Sequence, residues 1–155
     1  MERVLVVGVG NTVMKDDGLG VHALEELRRR GLPGYVDTVE AGTALLDALP
    51  DLCEYGKVVF LDAVRKEGEG IHTVRNHTYG VLPERGCTAH EMGIEETLRI
   101  TLLTEGVLPE TVIMGVTPEK IEFGTGLSEN VAAKIPALAD AVLEEITNKE
   151  RNPVL

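Results

Sequence analysis

The chain has 155 residues, enough for one domain, and its 43% hydrophobic and 26% charged content is ordinary for a globular protein. A net charge of -11 argues against nucleic acid, which needs a basic surface, and 3% aromatics without tryptophan argue against a base-stacking platform. There is no apolar run of about 18 residues to span a membrane, no signal-peptide pattern at Met1-Glu2-Arg3, and only two cysteines, Cys53 and Cys87, so a reducing cytoplasm is expected.

Residues 4–9 form a continuous apolar run, the mark of a strand covered on both faces. Two glycines and an asparagine follow (Gly8, Gly10, Asn11), then the acid pair Asp16 and Asp17, then Gly18 and Gly20. Apolar positions Leu19, Val21, Ala23, Leu24 and Leu27 begin a helix whose basic last turn suits its dipole, and Gly31 and Pro33 stop it. Residues 35–39 read as a second strand, with a turn at 40–43 (EAGT) and a short helix through Leu45, Leu46 and Leu49, ended by Pro50. Cys53 reads as a small buried residue. KVVFL at 57–61 is a third apolar strand with Asp62 at its end, and 71–74 is a fourth strand nearer an edge.

Residues 75–87 read as loop. Thr88 and Glu91 fit a capping box, opening a helix through Ile94, Leu98, Ile100 and Leu103. Residues 111–116 form a fifth strand. Ser128 is placed to cap a last helix from Val131 to Ile146, with Pro136 a source of a kink, and 147–155 is a frayed polar tail. Strands alternating with helices predict one α/β domain over 1–155, with a largely parallel sheet and helices on both faces. Ligands then bind beyond the carboxyl ends of the strands, which sends residues 8–17, 40–43 and Asp62 to one rim.

Asp17, Asp62 and His90 form the sharpest constellation. Two carboxylates and an imidazole can hold a divalent metal and leave positions open for water or substrate. Structural roles compete: Asp17 as a helix N-cap, Asp62 as a turn cap, His90 as a solvated helix residue. His22, His72 and His77 read as ordinary polar positions. Cys87 precedes His90 by three residues, but no oxyanion-hole motif lies nearby. A dinucleotide site would need a glycine where Val13 stands, and the acid pair would repel a pyrophosphate.

The glycine–asparagine–DDGLG stretch, EAGT at 40–43, FLDAV at 60–64, CTAHEMGI at 87–94 and MGVTPE at 114–119 occur in this order. Together they resemble the nickel–iron hydrogenase maturation endopeptidases over nearly the whole chain. The resemblance implies a three-layer α/β/α sandwich with a five-stranded twisted sheet, one strand antiparallel. It implies removal of a C-terminal extension from a hydrogenase large-subunit precursor after nickel insertion. The metal-contacting positions fall on Asp17, Asp62 and His90, and these are the expected catalytic residues, with Asp16 as a candidate helper. Nickel would come with the precursor, the free enzyme being metal-free, and a monomer is expected. Two departures stand out: position 17 is often glutamate in that family, and EAGT stands where DGGT is common. A self-contained metallohydrolase and a non-catalytic nickel-binding factor are the rival readings.

Overall fold

The computed structural model describes residues 2–76 and 91–148. In chain order the elements are β1 (Val4–Val9), α1 (Leu19–Arg30), β2 (Val36–Gly42), α2 (Leu45–Ala48), β3 (Lys57–Leu61), β4 (His72–Asn76), α3 (Glu91–Glu105), β5 (Glu110–Gly115) and α4 (Glu129–Thr147). The five strands make one sheet in the order β2-β1-β3-β5-β4. All neighbours are parallel except β4, which runs antiparallel to β5.

The apolar runs explain the layering. Every residue of β1 and β3 is buried, and successive side chains point to opposite faces. Val4, Val6, Val59 and Leu61 join Leu24 and Leu27 of α1 and Leu138 and Val142 of α4 in one cluster. Leu5, Val7, Val58 and Phe60 join Leu45 of α2 and Ile94 and Leu98 of α3 in the other. Each fully buried Val, Leu or Phe contributes about 1.5–3 kcal/mol, so both helix layers are held mainly by this burial. The result is the expected α/β/α sandwich.

The strand order also creates the site. From β1 the chain moves to β2 on one side, then crosses to β3 on the other. The winding reverses between β1 and β3, and in open α/β sheets ligands bind beyond the carboxyl ends of the strands at such a point.

At the opposite end of the sheet, a buried ionic cluster fixes α4. Lys57 Nζ donates to Glu145 Oε2 at 2.6 Å and to the Glu145 carbonyl at 3.1 Å. Arg75 pairs with the other oxygen of Glu145, and Glu110 lies 3.6 Å from Lys57. Burial alone would raise the Glu145 carboxyl, but its hydrogen bonds from Arg75 and Lys57 and their charges hold it below the usual range.

Several local expectations are corrected. Residues 40–42 are not a turn: β2 continues through them, because Glu40 and Gly42 still pair with Gly8 and Val9 across a bulge. The fourth strand is shifted to His72–Asn76 by its antiparallel register with β5. Cys53 is exposed rather than buried, since its neighbour Leu52 takes the inward position of that turn. Ser128 occupies the N-cap of α4 but makes no side-chain cap bond; its hydroxyl goes elsewhere, as described below. Helix α4 runs unbroken past Pro136, whose carbonyl accepts from Arg30 Nη2 at 3.2 Å. His77, Cys87, Thr88, His90 and residues 149–155 lie outside the described residues.

Candidate active site

The loop after β1 is folded back on itself. Gly10 N–H donates to the Gly42 carbonyl at 2.9 Å, joining the loop to the end of β2. Gly10 has φ +124°, and a Cβ there would fall 2.0 Å from the Asp17 carbonyl, so only glycine lets residue 17 approach so closely. Asn11 shapes the intervening turn: its side-chain oxygen accepts from Val13 N–H at 3.0 Å and its carbonyl from Met14 N–H at 3.1 Å. A single 3₁₀ turn, Lys15–Gly18, then leads into α1, and Lys15 enters it in the left-handed region at φ +49°.

Asp17 does not cap α1. The N-cap is Gly18, and Asp17 Oδ2 instead accepts from Asn11 N–H at 3.2 Å. The carboxylate is thus turned back toward the glycine loop. Asp62 directly follows β3 and is fully buried. Its Oδ1 accepts from Ala63 N–H at 2.8 Å, and its own N–H donates to the Met114 carbonyl at 3.2 Å.

What brings the two acids to one rim is Gly20. A Cβ on Gly20 would lie 1.9 Å from the Leu61 carbonyl and 2.5 Å from the Val9 carbonyl. The first turn of α1 therefore rests directly on the carboxyl ends of β1 and β3. Asp17 precedes this contact by three residues and Asp62 follows Leu61 immediately. The positive end of the α1 dipole faces the same rim, which suits anionic groups there. Among the described residues no group of three His, Cys, Asp or Glu side chains stands ready to hold a metal ion. The expected third member, His90, is outside those residues.

Asp16, the other half of the acid pair, points away to the loop between β5 and α4. Its Oδ2 accepts from Glu119 N–H at 2.9 Å, Lys120 N–H at 2.8 Å and the Ser128 hydroxyl at 2.8 Å, and its Oδ1 accepts from Ser128 N–H at 2.7 Å. Both oxygens are committed to fastening that loop. The sequence offered no sign of this, because the donors lie more than 100 residues downstream. Burial raises the Asp16 carboxyl, but the N–H groups of Lys120 and Ser128, the Ser128 hydroxyl and Glu119 N–H outweigh it and keep the group below its ordinary value.

The sign of the pH effect follows. A carboxyl with a depressed folded pKa stabilises the fold above its unfolded value, about 4, and loses that contribution as pH falls through the folded value. Asp16→Asn is expected to cost about 1–3 kcal/mol at pH 7, because buried donors lose an ionised acceptor. The gap to wild type should narrow steadily below about pH 4 in urea denaturation. A gap that stays constant down to about pH 2.5 would show that Asp16 is not the titrating clamp.

The remaining histidines are partly accounted for. His72 Nε2 lies 2.9 Å from Thr117 Oγ1, and His22 Nδ1 is 3.9 Å from Glu25 on the surface of α1.

Comparison with known proteins places this geometry. A family model described as hydrogenase maturation protease matches residues 21–145. The hydrogenase 2 maturation protease of Escherichia coli strain K12 is 30% identical over 145 residues, covering 91% of this chain and 88% of that protein. Among solved structures, the hydrogenase maturating endopeptidase HybD from E. coli superposes with a TM-score of 0.76 at 30% identity, covering 94% of this chain and 92% of that one. The hydrogenase 2 maturation peptidase from Thaumarchaeota archaeon SCGC_AB-539-E09 gives 0.70 at 37% identity, covering 94% and 98%. Sequence likeness and fold agree over almost the full length, and the chain belongs to the hydrogenase maturation protease family, whose members are endopeptidases.

Proposed function

We propose that this protein removes the C-terminal extension of the large-subunit precursor of a nickel–iron hydrogenase, and that nickel already seated in the precursor is what it recognises. The observation that supports this most is the delivery of Asp17 and Asp62 to one rim, at the point where the sheet reverses its winding. Two carboxylate oxygens are suitable donors for a divalent ion that arrives with the precursor. His90 is the proposed nitrogen donor to the same ion. In this reading the nickel is part of the substrate, and the enzyme carries no resident metal.

The chemistry is peptide hydrolysis. A water oxygen bonds to the scissile carbonyl carbon, the C–N bond breaks, and the leaving amine takes a proton. Nickel held between substrate and enzyme polarises the carbonyl or lowers the pKa of the attacking water. Asp17 and Asp62 orient the ion. Asp16 serves as a positioning residue, because its oxygens are occupied by the loop it fastens.

The test is the precursor's mass after incubation with this protein. Nickel-loaded precursor is expected to lose its extension, and nickel-free precursor to stay intact. Equal cleavage of both would overturn nickel recognition, and cleavage of neither would overturn the assignment to this class of precursor.

A further inference from the structure

The loop that Asp16 fastens carries a feature the acids do not explain. The chain has two phenylalanines. Phe60 is fully buried in β3, whereas Phe123 is 86% exposed. An aromatic ring left in water at this level is informative when the backbone that carries it is fastened, and beside Phe123 it is. Gly124 N–H donates to the Val13 carbonyl at 2.8 Å, and Lys15 N–H donates to the Gly124 carbonyl at 3.0 Å, forming a parallel bridge between Met14 and Gly124. Asp16 N–H adds a bond to the Lys120 carbonyl at 3.0 Å.

The bridge register sets Val13 beside Phe123, and Val13 is itself 44% exposed. Ile121, 37% exposed and two residues before Phe123, lines a cleft of about 490 Å³ with Thr117, Pro118 and the charged residues Arg65, Lys66, Glu67 and Glu119. Arg65 and Lys66 follow Asp62 closely in sequence, and Val13 precedes Asp17 on the same loop. The apolar ledge and the cleft are therefore joined to the two acids by short stretches of chain.

From this we infer that Phe123, with Val13 and Ile121, is a docking ledge for the polypeptide being cut, and that it sets affinity for the precursor. The inference rests on the endopeptidase reading above. The occupant follows from continuity: Val13 shares a loop with Asp17 and is bridged to the Phe123 segment, so a chain held at Asp17 has this apolar surface close by. The fastened backbone matters, because a loop ordered before binding loses little entropy when the partner arrives. Exposed aromatics that become desolvated at an interface are typical dominant contributors to affinity. The cleft's size is also that of ordinary binding sites.

The experiment compares steady-state cleavage of nickel-loaded precursor by wild type, Phe123→Ala and Phe123→Leu. KM is expected to rise about tenfold or more in Phe123→Ala, with most of the loss in kcat/KM carried by KM, and to recover substantially in Phe123→Leu. Thermal denaturation should show the Phe123→Ala fold intact, since the ring is exposed. Val13→Ser provides a second, independent probe and should raise KM in the same direction. If wild type cuts the precursor and neither Phe123→Ala nor Val13→Ser changes KM, the docking ledge is overturned while the endopeptidase reading stands. If wild type cuts nothing, it is that reading which fails. Self-association of wild type at working concentration, abolished by Phe123→Ala, would also overturn the inference by making the ledge a seat for a second copy.

Discussion

Replacing Asp62 by asparagine is expected to lower cleavage of nickel-loaded precursor by at least about a hundredfold, and Asp17→Asn should do the same. Both substitutions keep the shape of the side chain and remove its charge. In Asp62→Asn the new amide oxygen can still accept from Ala63 N–H, as Asp62 Oδ1 does at 2.8 Å. In Asp17→Asn the amide oxygen can likewise accept from Asn11 N–H. What neither variant can do is offer an anionic oxygen to a divalent ion at that position, and a neutral amide is a far weaker donor. The fold should survive, with unfolding free energy within about 2 kcal/mol of wild type. The two effects should not multiply in the double variant, because one missing ligand already breaks the grip on the ion. The measurement is single-turnover cleavage with folding checked in parallel. Full activity in either single variant would remove that residue from the proposed site.

The largest expected effect on stability lies at the other end of the sheet. Glu145→Ala should cost about 3–5 kcal/mol, because it strips the carboxylate from two cations that the fold holds against it. Lys57 would keep the backbone carbonyl of residue 145, at 3.1 Å, and Glu110, at 3.6 Å, but lose the carboxylate, and Arg75 would lose its buried partner. For a chain of this size the loss corresponds to a fall in melting temperature of about 10 °C. Lys57 opens β3 and Asp62 follows its last residue, so the cluster is about 17 Å from the rim by strand length. Activity per folded molecule should therefore be retained well below the new melting point. Adding Lys57→Met to Glu145→Leu should recover only part of the loss, since an apolar pair replaces Lys57 and Glu145 while Arg75 still loses its carboxylate and Glu110 its lysine. A melting temperature within about 2 °C of wild type for Glu145→Ala would show that the cluster contributes little.

The parts of the fold that the sequence announces are those governed by burial alone. β1 and β3 are apolar at nearly every position because both faces are covered, and their bounds come straight from that run. Helix α1 follows from its apolar spacing and its glycine stop. The parts that stay hidden depend on pairing between distant segments. Nothing local in HTVRN states that β4 runs against β5, and nothing in EAG states that β2 extends to meet a bulge. The same division holds at the site. The rule that ligands sit beyond strand ends brings Asp17 and Asp62 to one rim without any coordinates. It cannot separate Asp16 from Asp17, since the donors that claim Asp16 come from the far side of the chain. Phe123 is equally silent, because an isolated aromatic in a glycine-bearing loop reads no differently from a buried one.

The 3₁₀ turn at Lys15–Gly18 has a consequence for how this protein can change over time. With three residues per turn, neighbouring side chains diverge by roughly 120°. That divergence alone sends Asp16 to the β5–α4 loop and Asp17 to the glycine loop. Inserting or deleting a single residue between Gly10 and Asp16 would rotate the pair, handing the anchor's position to the acid meant for the rim. The segment can thus absorb changes of residue identity at Thr12 or Met14 far more readily than any change of length. Its spacing, more than its chemistry, is the quantity that descent has to preserve.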